Sequence, residues 1–273
     1  MTKAYHIQLD RKLIRNAKVA ILPGDPARVI RIAEKLSPES RELAFNREYR
    51  SCLVPVSRHD HVLVMSTGIG GPSAAIGIEE LAVLGLTTFV RIGTTGSIQK
   101  ALKVGDVVIT IGSVRLDGTS THYAPLPYPA VADFFVTRIL VEAAEKAGIA
   151  FRVGITASSD SFYPGQERYD SFSGYVLREF QGTMREWQQL NVLNYEMESS
   201  ALFVTASALG LRAGCIAGVI VNRAASEKIR KSDVRKAENN TIEVIRKSLP
   251  DLIATAGGWR PPLRGRGGVR FGR

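Results

Sequence analysis

The stretch NYEMESSALF, Asn194–Phe203, places two carboxylates, Glu196 and Glu198, on either side of a methionine just before an apolar run. On a helix, residues two apart face nearly opposite sides; on an extended segment they share a face. Two like charges held together are costly unless something bonds to both. A second stretch, SSDSFYPGQERYDSF from Ser158 to Phe172, gathers Phe162, Tyr163, a Pro-Gly turn, Gln166 and Arg168. An aromatic platform beside an amide and a guanidinium suits a flat heterocycle with carbonyl edges. The ring stacks, glutamine both donates and accepts, and arginine donates to the carbonyl oxygens. Standing alone, this segment reads as a surface loop with a hydrophobic anchor.

Two further segments suit an anion. PGDPAR, Pro23–Arg28, offers Gly24, whose backbone can approach an anion closely, with Arg28 a few residues on. RIGTTGS supplies Arg91, a glycine and the hydroxyls of Thr94 and Thr95. Guanidinium forks pair with phosphate or carboxylate oxygens, and hydroxyls and free N–H groups complete the shell. Neither segment is specific by itself, because an arginine at a strand end is commonly solvated or salt-bridged. TGIGGPS has Gly68, Gly70 and Gly71 but Ser73 where a dinucleotide fingerprint needs its third glycine, and no G-x-x-x-x-G-K-[ST] occurs. Bound NAD or ATP is disfavoured, and a smaller anion such as free phosphate is favoured.

His59, Asp60 and His61 in SRHDHVL lie between the strand-like runs SCLVPV and HVLVMS and read as a polar hairpin turn. Ligands at i, i+2 with no third partner do not make a zinc site. His122 reads as a satisfied loop histidine. His6 lies in a terminal segment expected to be loose unless it is ordered against a site.

The elements that must carry these residues follow from periodicity. KVAIL, HVLVMS, TTFVRIGTTGS, GDVVITIGSVRL, RVGITASSDSFY and RAGCIAGVIVNRA read as strands, each ending in small or polar residues. AAIGIEELAVLG and SSALFVTASALG read as helices, and VRKAENNTIEVIRKSLPDLIATA as a terminal helix broken near Pro250. Strands apolar throughout and alternating with helices predict a largely parallel sheet covered on both faces, in a single domain. Ligands of such sheets collect at the carboxyl ends of strands, where the unusual residues lie.

Of the 273 residues, 45% are apolar and 23% charged, as in an ordinary globular chain. Two cysteines, Cys52 and Cys215, without C-x-x-C spacing speak against a disulfide scaffold and for a reducing cytoplasm. No signal-like or membrane-length apolar run is expected. The net charge is +10, but GGWRPPLRGRGGVRFGR, residues 257–273, holds five arginines and no acid, leaving +5 for the other 256 residues. That tail reads as disordered, either a dispensable extension or a contact for an acidic polymer, and nucleic acid is not the expected partner. The domain itself spans residues 1–256.

PGDPAR, NREYR, STGIGGPS, RIGTTGSIQ, SVRLDG, ASSDSFYPGQERYD, NYEMESSAL and GVIVNR, in this order and spacing, resemble the trimeric and hexameric nucleoside phosphorylase family. Within it they are similar to the bacterial hexameric enzymes that cleave uridine. The likeness runs from about residue 5 to 250. It implies a single-domain three-layer α/β/α sandwich with a mixed, partly barrel-like central sheet. It implies a pentosyltransferase in pyrimidine salvage that converts uridine and phosphate reversibly to uracil and ribose 1-phosphate. No organic cofactor is implied. The implied assembly is a homohexamer whose dimers are the active-site units.

Carried over by the same resemblance, Gly24, Arg28, Arg91 and Thr94 would hold phosphate, with Arg47 reaching in from the neighbouring subunit. Glu196, Met197 and Glu198 would hold ribose, with the neighbour's His6 on the 5′-hydroxyl. Phe162, Gln166 and Arg168 would hold uracil, and Arg168, Gln166, Glu198 and Arg91 would act in the reaction. Glu48, Ile69 and Ser73 match positions that bind a monovalent cation, potassium, at the dimer interface in similar proteins, Ile69 through its carbonyl.

The family also contains purine enzymes, which place an aspartate just after the last core strand. Here that place reads VIVNRAA, with Asn222 and Arg223 and no acid until Glu227, which favours pyrimidines. A non-catalytic nucleobase sensor or an RNA-binding protein using the basic tail is the alternative from another class. The chain departs from the family at Tyr5, where phenylalanine is common. It departs again over residues 224–236, a lid by resemblance, which lack a common proline and are more basic.

Overall fold

The computed structural model describes residues 3–258, so all but the first two residues of the 257–273 tail lie outside the described residues. Five strands and two helices form the first half: β1 (Val19–Leu22), α1 (Pro26–Leu36), β2 (Arg41–Asn46), β3 (Tyr49–Pro55), β4 (His61–Met65), α2 (Gly71–Leu84) and β5 (Thr88–Ser97). The second half comprises β6 (Val107–Leu116), β7 (Ala130–Val131), α3 (Phe134–Ala147), β8 (Phe151–Ser159), α4 (Thr183–Gln189), β9 (Asn194–Glu196), α5 (Ser199–Ala208), β10 (Arg212–Asn222) and α6 (Lys231–Gly257).

The strands join in one sheet ordered β10-β6-β8-β9-β5-β1-β4-β3-β2, with β7 on the edge of β6. Because β10 also pairs with β5, strands β5, β9, β8, β6 and β10 close into a small barrel, and β1, β4, β3 and β2 extend from it as an open wing. The pairing is mixed. β1 runs parallel to β4 and β5, and β10 parallel to β5, while β6 runs antiparallel to β10 and β9 antiparallel to β5. Locally, each apolar run is compatible with either direction, which is why the strands read as mostly parallel before their connections are known.

Alternation along the strands divides the core in two. Val19 and Ile21 of β1 with Val90 and Ile92 of β5 face α1, α3 and α6. Ala20, Leu22 and Phe89 face α2 and α5 on the other side. This is the expected three-layer sandwich. The hairpin expected around His59–His61 is present: Val56 N donates to the Asp60 carbonyl at 2.9 Å and the Ser57 hydroxyl to Asp60 at 2.7 Å. Cys52 and Cys215 are buried and free. Among the described residues, no helix is long and apolar enough to cross a membrane.

Besides the largely parallel pairing, two further expectations fail. The terminal helix is not broken near Pro250, since α6 is continuous for 27 residues. Proline removes one N–H donor and crowds the preceding turn. Leu249, Leu252 and Ala256 are nevertheless buried on the sheet, so tertiary packing carries the helix through. The N-terminal segment is not loose either. Ala4, Ile7, Leu9 and Ile14 are buried beside α2, and the Glu80 carboxylate accepts from His6 N, Ile7 N and the His6 ring.

Candidate active site

The sheet produces the site by changing neighbours along β5. Its first residues, Thr88–Arg91, pair with β1, but at its far end Gly96 and Ser97 pair with β9. Between these registers the edge of β5 is uncovered on that side, and a cavity of about 380 Å³ opens there, lined by Gly93, Thr94 and Thr95. This is a strand-end switch point of the kind that collects ligands in α/β sheets.

Two loops close one wall. Thr67 N and Gly68 N donate to the carbonyls of Pro23 and Gly24, both at 2.9 Å, stitching the turn after β4 to the turn after β1. A Cβ on Gly24 would come within 3.1 Å of the Gly68 carbonyl, so glycine permits this approach. Gly70, at φ +93°, turns its N–H onto Glu198 Oε1 at 2.6 Å.

The paired carboxylates of the NYEMES stretch have separate partners and one in common. Arg91 Nε donates to Glu196 Oε2 at 2.9 Å, and Arg91 Nη2 pairs with Glu198 Oε2. Glu196 ends β9, and its oxygens also accept from Glu198 N at 2.9 Å, Ser199 N at 3.0 Å and the Ser199 hydroxyl at 2.5 Å. It is thus Glu196 that satisfies N–H groups at the start of α5. Glu198 occupies the N-cap position, but its side chain does not cap.

Burial works to raise the Glu196 pKa, yet Arg91, the Ser199 hydroxyl and two backbone N–H groups hold it below the usual carboxylate range. Glu198 goes the other way: burial and then repulsion from Glu196 outweigh Arg91 and push it up. These opposite shifts belong to one buried set, and separated pKa values in a cleft are a mark of a reacting site.

Two cationic edges remain open. Arg28 Nε pairs with Glu238 Oε1 at 2.9 Å, which leaves Arg28 Nη2 buried without a hydrogen-bond partner among the described residues. Arg91 Nη1 is likewise buried and unpaired. Burial lowers the Arg28 pKa, and Arg91 adds to the lowering against the pull of Glu238. Unpaired buried guanidinium N–H groups of two like-charged residues lining one cavity call for an anion. The Thr94 hydroxyl has no partner among the described residues. Thr95 differs, since its hydroxyl donates to the Tyr195 carbonyl and accepts from Asn194.

The opposite end of the cavity belongs to the 160–168 loop. Gln166 and Arg168 are both buried, flanking Glu167, a non-glycine residue at φ +52°. That left-handed conformation is disfavoured. It is held because the Glu167 carboxylate accepts from Gly182 N at 2.6 Å and Met184 N at 2.8 Å at the start of α4. The turn lets Gln166 and Arg168 both line the cavity. The Arg168 guanidinium lies 4.4 Å from the ring centre of the half-exposed Phe162. Arg168 Nε is buried and unpaired, and the buried Gln166 lines the cavity beside it.

Gly24, Arg28, Ile69, Arg91 and Thr94 therefore line the same cavity as Phe162, Gln166, Arg168, Glu196, Met197 and Glu198. His6 and Arg47 do not line it in the single subunit. Arg47 is exposed at the β2–β3 turn with φ +52°. Glu48 and Ser73 do not line the cavity but approach Ile69, which does: a Cβ on Gly68 would meet Glu48 Cγ at 2.8 Å and Ser73 Oγ at 3.2 Å, and Ser73 Oγ lies 3.5 Å from the Ile69 carbonyl. Among the described residues there is no cluster of three or more His, Cys, Asp or Glu side chains able to hold a metal.

Several participants are not evident in the sequence pattern: Glu238 on Arg28, Glu227 on Arg168 and Arg223, and Glu167 beneath the loop. The only local signal among these is the i, i+4 spacing of Arg223 and Glu227. Asn222 is occupied, donating to the carbonyls of Gln99 and Leu102 and accepting from Ala224 N.

A barrel-and-wing α/β sandwich with an anion-ready cleft at the β5 switch point defines a class of protein, and the model of the phosphorylase superfamily matches residues 18–250. The chain belongs to that superfamily. It is 52% identical over 255 residues to the uridine phosphorylase of Haemophilus influenzae, covering 93% of this chain and all of that protein. It is 51% identical over 249 residues to the uridine phosphorylase of Escherichia coli K12, covering 91% and 98%. It is also 38% identical over 258 residues to the guanosine phosphorylase of Halorubrum lacusprofundi, covering 93% and 100%. Membership alone leaves the base to be argued from the site.

Proposed function

We propose that this chain catalyses the reversible phosphorolysis of uridine, giving uracil and ribose 1-phosphate. One observation carries this most directly. The unpaired buried N–H groups of Arg28 and Arg91 and the 162–168 base platform lie in one cavity, with Glu198 among its lining residues. The two uridine phosphorylases at about half identity over nearly the whole chain support the choice of reaction.

In this reading phosphate is held by Gly24, Arg28, Arg91 and Thr94, completed by the neighbouring subunit's copy of Arg47. Ribose lies over it against Met197. Glu198 accepts from the sugar hydroxyls, while Glu196 holds Arg91 and the start of α5 in place. The neighbouring subunit's copy of His6 meets the 5′-hydroxyl. The glycosidic bond stretches first, and C1′ passes with inversion onto a phosphate oxygen. The phosphate dianion stabilises the cationic carbon and then bonds to it. Uracil departs with negative charge on its carbonyl oxygens and has no N7 to protonate, so the donors must be fixed in advance. Gln166 and Arg168 beside Phe162 are donors of that kind, and Asn222, engaged in backbone contacts, offers no acid to a purine.

Potassium at Glu48, Ile69 and Ser73, a homohexamer built from active-site dimers, and a cytoplasmic place in pyrimidine salvage complete the proposal. Uracil release from uridine that strictly requires inorganic phosphate, and that exceeds base release from inosine, is the expected result. Release without phosphate, or preference for inosine, refutes it.

A further inference from the structure

Beyond the residues that would touch the nucleoside, one exposed carboxylate is joined to the base platform. Glu227 lies in the connection between β10 and α6, outside any helix or strand. Its Oε2 accepts from Arg168 Nη1 and its Oε1 from Arg223 Nε, both at 2.6 Å. Arg223 in turn donates from Nη2 to the Gln166 carbonyl at 2.9 Å. The side chains of Arg168 and Arg223 are nearly buried, whereas that of Glu227 is 42% exposed. Among the described residues, these two arginines are its side-chain partners. A ring of contacts thus runs from Gln166 through Arg223 and Glu227 to Arg168, which stacks on Phe162.

The atoms involved separate two roles. If the carboxylate merely filled the place of a base, it would occupy the donors that a base needs. It takes Nη1 instead and leaves Arg168 Nε buried and unpaired. A guanidinium is a rigid planar fork, so fixing one end sets the direction of the other N–H groups. We propose that Glu227 is a positioning residue for phosphorolysis. From the 224–230 connection it holds Arg168, with Arg223 as second anchor, so that the free edge of the fork meets the carbonyl that collects charge as the pyrimidine leaves. This rests on the phosphorolysis reading above and adds to it a residue that acts through Arg168 without touching substrate.

The consequence is specific to the departing base. A misdirected donor matters most when the leaving pyrimidine is a poor leaving group and less when an electron-withdrawing substituent already disperses its charge. The test is steady-state uracil release by the full-length chain, comparing wild type with Glu227→Gln and Glu227→Ala on uridine and on 5-fluorouridine. Each is also measured in an Arg168→Ala background. Glu227→Gln is expected to lower kcat on uridine about tenfold, the scale of one exposed charge-assisted hydrogen bond. The phosphate KM should stay unchanged, and the loss should shrink on 5-fluorouridine. In the Arg168→Ala background the second substitution should add little, because the residue acts through that arginine. Equal losses on both substrates, full additivity with Arg168→Ala, or unchanged kcat in both variants overturns the assignment. A wild-type chain that releases no uracil with phosphate present overturns the underlying reaction instead, and that control tells the two failures apart.

Discussion

Replacing Arg91 separates charge from geometry at the centre of the cleft. Its side chain is 9% exposed and spans two carboxylates, with Nε on Glu196 and Nη2 on Glu198, while Nη1 remains unpaired. In Arg91→Ala, Glu196 and Glu198 stay buried without their shared cation. Breaking a buried pair by removing one partner costs about 3–5 kcal/mol. For a chain of this length that lowers Tm by roughly 6–20 °C, at about 2–4 °C per kcal/mol. Protonation of Glu198, whose pKa is already raised, moderates the cost, so the lower half of that range is expected. Phosphate loses one charge-assisted donor, about 1.5–3 kcal/mol, so its KM should rise roughly 10- to 10²-fold.

Arg91→Lys keeps the charge but not the fork. An ammonium cannot reproduce a planar contact to both carboxylates and still present a fixed N–H to the cavity. It should recover most of the lost Tm and leave the phosphate KM about tenfold high. Phosphate titrations at saturating uridine, paired with thermal melts, read both quantities. A phosphate KM within about twofold of wild type in Arg91→Ala, with the uridine KM raised instead, would place the anion elsewhere and refute the reasoning.

Three other outcomes follow from the contacts. The raised Glu198 pKa means the folded protein binds a proton that the unfolded chain has released. Wild-type stability should therefore fall as pH rises from the ordinary carboxylate value through the folded one, and Glu198→Gln should gain relative to wild type across that window. Parallel denaturation-versus-pH curves would contradict the shift. Glu80→Ala removes the acceptor of His6 N, Ile7 N and the His6 ring, so limited proteolysis near the N-terminus should accelerate and the uridine KM should rise; an unchanged cleavage rate argues against this tether. Pro250→Ala restores an N–H in the interior of α6 and should stabilise the chain by about 1–3 kcal/mol in urea titrations, whereas a loss would mean the proline ring packs productively.

Much of this molecule is visible one segment at a time. VAIL and its kin are apolar runs of strand length, and their alternation assigns each side chain to one face or the other. The residue types of PGDPAR, RIGTTGS and FYPGQER state their chemistry locally, as anion donors and a heterocycle platform. The sequence by itself determined the kinds of elements, their order and the ligand chemistry on their loops. It did not determine who meets whom. Arg91 and Glu196 are 105 residues apart, and Arg168 and Glu227 are 59 apart, so no periodicity connects them. Closure of β10 onto β5, the change of neighbour along β5 and the capping of α5 by Glu196 instead of Glu198 depend on register and packing across the whole sheet. So does the passage of α6 through Pro250, where burial of one apolar face outweighs a local break. Propensity acts over a few residues, whereas a buried charge takes its pKa and its role from whatever the fold packs around it.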